Sequence, residues 1–351
     1  MARIQRRNEP TSRASDSQQD NSVDRSDAVL VKRKVPLKHI VQFTRLFATM
    51  SEAGLPVLRN LRILSNQWPE GRFRDAILDS ADMVEEGQTL SDALAQAPEV
   101  FDELYVNMAR AGEAGGVLDT VLDRLANFLE RQQAVRDKTK SALTYPIVIF
   151  IVAIGVVSAL MLFVIPSFAD LYKDMDMVLP KITQVMIAIS GAFTSYWYLV
   201  IGLPISVWMG HMVLYRRMYG YRYTWHSWLR KLPIVGTLVA KSQISRFTTT
   251  FGTLISSGVP HLEAFSITRG ALSNEVYRES VEEIAEEVRE GEGIAASMEA
   301  SQVFDDMVVS MVEVGEETGE LDRMCMRVGT AYEEQYTRAL DNMLKLIEPI
   351  M

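Results

Sequence analysis

Carboxylates at two glycine-flanked turns are the residues of this sequence best suited to chemistry. The segment GEAGG at 112–116 carries Glu113, and GEETG at 315–319 carries Glu316 and Glu317. An aspartate, Asp119 or Asp322, follows six residues after the first glutamate of each turn. A carboxylate so placed can favour the dipole of the helix that follows, by roughly 0.3–1 kcal/mol. It can also meet a partner whose backbone the glycines Gly112, Gly116, Gly315 and Gly319 allow to approach, or ligate a metal. A metal centre would need more donors. The histidines His39, His211, His226 and His261 are scattered, and Cys325 is the one cysteine. GEAGG is only superficially a phosphate loop, because it lacks the Lys-Ser/Thr pair, follows a helix and recurs as GEETG. No GxxxxGK[ST] and no HExxH motif is present, so the sequence offers no catalytic residue and implies no metal or cofactor. The run Glu282, Glu283, Glu286, Glu287, Glu290 and Glu292 reads as a solvated helix face that could also meet a basic surface.

The two turns belong to an internal repeat. Phe43 to Leu64 lies over Phe247 to Thr268 with eight of 22 positions identical, where composition alone gives roughly one or two. Met108 to Gln132 lies over Met311 to Gln335 with nine of 25 identical, the offset falling from 204 to 203. One residue was therefore lost near Pro98. Within each copy the pattern is helical: Phe43, Leu46, Phe47 and Met50 follow the i, i+3, i+4, i+7 spacing of one apolar face. Gly54 and Pro56, matched by Gly258 and Pro260, end that helix and start the next, glycine taking the left-handed cap. Glu86-Gly87 and Glu290-Gly291 mark another helix end. Strand signals are nearly absent, so each copy is expected to be a small all-α bundle.

Between the copies the chain turns apolar. Ile147 to Ile165 is 19 residues without a charge, about the length that crosses roughly 30 Å of hydrocarbon. Ile182 to Tyr215 contains no Asp, Glu, Lys or Arg, and its most apolar part begins at the interfacial aromatics Tyr196, Trp197 and Tyr198. Pro204 is tolerable in a spanning helix. Arg131, Arg136, Lys138 and Lys140 precede the first run, and Arg216, Arg217, Arg222, Arg230 and Lys231 follow the second. The connection holds Lys173 and Lys181 against Asp170, Asp174 and Asp176. The positive-inside rule then puts both bundles in the cytoplasm and the connection outside.

The expected organisation is a disordered cytoplasmic tail over 1–35, a first cytoplasmic helical domain over 36–140 and a first span over 145–168. A periplasmic connection over 169–195, a second span over 196–215 and the repeated domain over 232–348 follow. A single cysteine suits a reducing compartment, and a net charge of −9 argues against nucleic acid as partner. The first 30 residues lack the apolar core of a signal peptide.

The ordered series GLPVLRNLRIL at 54–64, GEAGGVLDTVL at 112–122, LTYP at 143–146, LPKIT at 179–183, LPIVGTL at 232–238, SGVPHLEAF at 257–265 and GEETGELDRM at 315–324 resembles a known family. It is the inner-membrane platform family of type II secretion and type IV pilus machines, the secretion F protein or PilC type, and the likeness runs from about Pro36 to Met351. The resemblance implies a non-enzymatic platform of the bacterial inner membrane that couples a hexameric secretion ATPase to polymerisation of pilin-like subunits. It implies contacts with other assembly proteins and a dimer or trimer. The acidic-turn residues Glu113, Glu316, Glu317, Asp119 and Asp322 are then candidates for the ATPase contact. The family's third span is expected just beyond Met351, since Pro146 corresponds to Pro349 by the repeat offset, which points to a truncated chain. The competing reading is a transporter or channel subunit with duplicated cytoplasmic domains. Against it, the repeat lies outside the apolar runs, where His211 is the one ionisable side chain.

Overall fold

A computed structural model describes residues 35–174 and 181–350. The expected tail up to residue 34 and the expected third span lie outside them. Every regular element among the described residues is a helix. The first copy comprises α1 (Leu37–Glu52), α2 (Val57–Ser65), α3 (Arg72–Glu85), α4 (Leu90–Ala95), α5 (Glu103–Gly115) and the start of α6 (Leu118–Ala159). Then come α7 (Ile165–Asp174), α8 (Lys181–Ser195), α9 (Trp197–Arg217) and α10 (Tyr219–Lys231). The second copy repeats the first as α11 (Val235–Ser256), α12 (His261–Ala271), α13 (Glu275–Glu290), α14 (Ile294–Ser301), α15 (Asp306–Thr318) and α16 (Leu321–Ile350).

The helix ends follow from their glycines. Gly54 and Gly258 have φ of +78° and +86°, a conformation in which a Cβ would be strained. Each closes a Schellman cap: the Leu55 and Val259 amides donate to the Met50 and Leu254 carbonyls, and the glycine amides to Ser51 and Ile255. Pro56 and Pro260 sit at the N-cap of the next helix, one residue before its first turn.

Equivalent positions fill the two cores. Phe43 and Phe47 of α1, like Phe247 and Phe251 of α11, are at most 1% exposed. Burying each such side chain stabilises by roughly 1.5–3 kcal/mol. Thr44 and Thr248, buried beside them, return their hydroxyls to the carbonyls four residues back, at 2.7 Å and 2.9 Å. Leu122 in α6 is replaced in α16 by Cys325, also fully buried.

Helix α6 leaves the first core without a break. Its buried residues stop at Leu129, and by Ile147, Phe150 and Ile151 the apolar side chains face outward, each more than half exposed. Leu118–Phe168 is the one helix among the described residues that is both long and apolar enough to cross a membrane. Pro166 explains the irregularity at its far end. Lacking an N–H, it cannot serve the carbonyls behind it, and its ring crowds that of Leu162. The chain widens into a π-helical turn at Leu160–Val164. The Met161 carbonyl receives instead the hydroxyl of Ser190, at 2.5 Å from α8. Part of the expected connection is therefore helical and packs against the first apolar helix. Helix α9 likewise turns Leu203, Val207 and Trp208 outward.

Candidate functional site

The acidic turns are built alike in the two copies. Gly112 packs so closely on the next helix that an added Cβ would stand 3.0 Å from the Leu118 Cα, and at Gly315 2.9 Å from the Leu321 Cα. Gly116 and Gly319 then reverse the chain at φ +66° and +73°.

Glu113 and Glu316 do not begin the following helix, as their spacing suggested. They lie in the last turns of α5 and α15, the wrong end of their own dipoles. Their carboxylates reach back across the bundle to an earlier helix. The Leu90 and Ser91 amides donate to the two oxygens of Glu113 at 2.5 Å and 2.8 Å. The Ile294 and Ala295 amides donate to Glu316 at 3.0 Å each. At α14 no N-cap side chain shares this task, because the N-cap is Gly293. Asp119 and Asp322 are the residues that sit in the first turn after the glycines. Asp119 and Glu317 are exposed and Asp322 is half-buried.

Other polar positions escaped the reading of spacing. Asp102 and Asp305 occupy equivalent N-caps, accepting from the Tyr105 and Val308 amides at 2.9 Å and 3.1 Å. Burial pushes the Asp102 carboxyl up from its ordinary value, against the pull of the Tyr105 amide and its own. Tyr332 adds a short hydrogen bond to Asp305. The signal was present in FDELY at 101–105 over FDDMV at 304–308, the same offset carried a little further back.

Arg45 clamps α1 to α6 through Glu130 at 2.6 Å and 2.8 Å, Asp123 at 2.7 Å and Asn127 at 2.6 Å. The second copy has no such clamp: Thr249 stands in the place of Arg45, and Glu333 keeps the place of Glu130. Helices α11 and α16 approach closely instead, with Gly252 and Gly329 facing the other helix where the first copy has Ala48 and Ala126.

The second copy is tied to α10. His226, 7% exposed, accepts the Glu275 amide on Nδ1 at 3.0 Å and meets the Tyr215 hydroxyl through Nε2 at 2.9 Å. Arg222 and Arg278 flank the buried Glu275 carboxylate at 2.7 Å and 3.2 Å. Burial pushes the His226 imidazole below its ordinary value, although Glu275 pulls the other way. The glutamates of α13 mostly face solvent, with Glu282 paired to Arg269 and Glu286 near Arg289. Among the described residues no three His, Cys, Asp or Glu side chains converge on a point where a metal could sit.

Fold and site together define an all-α integral membrane protein in which two homologous bundles flank apolar helices. The profile of the family described as "Type II secretion system (T2SS), protein F" matches residues 43–166 and again 247–351. The chain belongs to that family. It is 38% identical over 314 residues to the "Type IV pilus assembly protein PilC" of Myxococcus xanthus, covering 90% of this chain and 75% of that one. It is 37% identical over 322 residues to the protein of the same name from Thermus thermophilus, covering 92% and 79%. The "Type II secretion system protein F" of Xanthomonas campestris pv. campestris is 34% identical over 326 residues, covering 92% and 80%. Each of the two matches covers most of one bundle, and the first continues through the apolar stretch of α6.

Proposed function

We propose that the chain is a non-enzymatic platform of the bacterial inner membrane in a type IV pilus or type II secretion assembly machine. In this reading it couples a cytoplasmic secretion ATPase to polymerisation of pilin-like subunits and works as a dimer or trimer. The observation that carries the reading is helix α6, which joins a packed bundle core to an outward-facing, charge-free apolar stretch in one element. A part of this shape can pass displacement between an aqueous motor and the bilayer. Support also comes from relatives named for both kinds of machine. The cations on the two flanks of the apolar region favour cytoplasmic bundles, with α9 as the second span.

The motor contact is proposed at the acidic turns, in duplicate. Glu113 and Glu316 are poor probes of it, since they hold backbone amides. Glu317 and Asp119 are exposed and hold none, so their replacement leaves the bundles intact. Asp322 would contribute from the half-buried side of the second turn.

The test is a chromosomal deletion complemented with the full chain, scored for surface pili and for secreted protein, with cross-linking of membranes to find the ATPase. Loss of assembly restored by the wild type, with a cross-link weakened in Asp119→Lys/Glu317→Lys, is expected. Unchanged assembly and secretion in the deletion strain would refute the platform role. An undiminished cross-link in the double variant would move the motor contact elsewhere.

A further inference from the structure

A cavity of about 720 Å³ lies where the two copies meet, between α6 on one side and α11 and α16 on the other. That is within the range of sites for small molecules, roughly 300–1,000 Å³. Its charge runs against that of the chain. Arg131, Arg136, Lys140 and Arg246 line it, with Glu333 as the one carboxylate. Arg136, Lys140 and Arg246 have no ion-pair partner among the described residues. Arg246 spends one donor on the Ala271 carbonyl, at the end of α12, at 3.2 Å. Burial holds its guanidinium below its ordinary pKa and pushes Glu333 up, Arg131 opposing the latter. Arg246 is half-buried and the other three cations are exposed, so the cavity presents concentrated positive charge that an anion can meet.

The repeat diverges at this space. In the first copy Arg45 fills the equivalent position and pairs with Glu130. In the second copy Thr249 is shorter, so Glu333 lacks that partner and both residues line the cavity.

Position indicates where the anion comes from. Leu143 lines the cavity, and two residues on, Tyr145 begins the outward-facing apolar surface of α6. Lys140 is seven residues, about 10 Å of helix, from Ile147. Leu37, Phe128 and Val135 give the cavity an apolar side as well. Exposed Tyr219 and Trp228 share α10 with Arg222, Arg230 and Lys231, the composition of a helix that rests at a membrane interface. A soluble anion would need the cations alone, whereas a phospholipid uses cations, apolar wall and location together.

We propose that this cavity binds the phosphodiester headgroup of an anionic phospholipid drawn from the cytoplasmic leaflet, bridging the two bundles at the membrane surface. The proposal rests on the reading above that α6 enters the membrane just beyond Tyr145 with the bundles on the cytoplasmic side.

The experiment uses the full chain in lipid nanodiscs containing phosphatidylcholine with or without phosphatidylglycerol. Bound lipid is counted by native mass spectrometry, and thermal unfolding is followed in parallel. The wild type is expected to retain phosphatidylglycerol preferentially and to unfold at higher temperature in its presence. Arg136→Gln/Lys140→Gln removes two exposed cations that pair with nothing, and should weaken retention roughly tenfold or more without loss of helicity. Glu333→Gln should strengthen retention. Equal retention of both lipids by the wild type, or unchanged retention in the double variant, overturns the proposal. Inorganic phosphate or glycerol phosphate stabilising the detergent-solubilised chain as well as the lipid does would also overturn it, in favour of a free anion. Recovery of the chain in the soluble fraction after a carbonate wash would instead refute the membrane reading beneath it.

Discussion

Replacing Glu113 by alanine separates the two roles open to the acidic turn. The carboxylate takes two backbone amides of α4, a helix of six residues that cannot satisfy its own first turn. Loss of a side-chain cap costs typically about 1 kcal/mol, and a hydrogen bond to a charged group about 1.5–3. Thr89 still holds the Asp92 amide, and Glu113 is half-buried, so the expected cost is about 2 kcal/mol rather than the sum. Local opening of α4 should then rise roughly thirtyfold. The assay is hydrogen–deuterium exchange of the intact protein, read on the peptide that contains Leu90 and Ser91. Glu113→Gln keeps one accepting oxygen and should lose about half as much. Glu316→Ala, with longer bonds and a more exposed carboxylate, should cost about 1 kcal/mol and act on Ile294 and Ala295. Unchanged exchange at α4 in Glu113→Ala would refute the cap and return the carboxylate to a purely external role.

Three further outcomes follow from the same geometry. An alanine at Gly236 would drive its Cβ into the Arg230 carbonyl, so Gly236→Ala should lower the unfolding temperature sharply, well beyond the usual overpacking cost of about 1–3 kcal/mol. His226 must be neutral at Nδ1 to accept the Glu275 amide, and its folded-state pKa lies below the ordinary value. The unfolded chain therefore takes up the proton first: stability is whole above the ordinary imidazole value and falls as pH drops through the folded one. Thermal unfolding between pH 8 and pH 5 should show that slope, and His226→Asn should flatten it. Burial pushes the Cys325 thiol up to about 12, so it should resist maleimide in the native chain and react on unfolding.

The glycine turns were legible because a left-handed φ is a demand that few residues meet, and Gly54, Gly116, Gly258 and Gly319 all meet it. The apolar run of α6 was legible for a similar reason, since 19 uncharged residues have few other uses. The role of Glu113 was not, because spacing along the chain shows which helix follows and is silent on which helix folds back beside it. Asp102 and Asp305 were within reach, as both precede an apolar helix at the same offset. The cavity was written in one substitution, Arg45 against Thr249, whose meaning depends on a neighbour contributed by the other copy. A repeat shows what two domains share, and their differences gain sense only once the copies are packed together.

Helix α6 runs for 42 residues, about 63 Å at 1.5 Å per residue, and proline stands near each border of its apolar stretch. Pro146 deprives the Ala142 carbonyl of its partner at the entry, and Pro166 forces the π turn at the exit. The apolar stretch that α6 begins and the π turn continues is therefore a helical rod whose hydrogen-bond ladder is interrupted at either border. In the proposed platform a push on the first bundle would tilt this stretch about its lower border, and Ser190, bonded at the upper one, would carry the tilt into α8. Pro146→Ala or Pro166→Ala restores an N–H at that border, and in the proposed platform is expected to change how motion passes along the helix while leaving both bundles as they are.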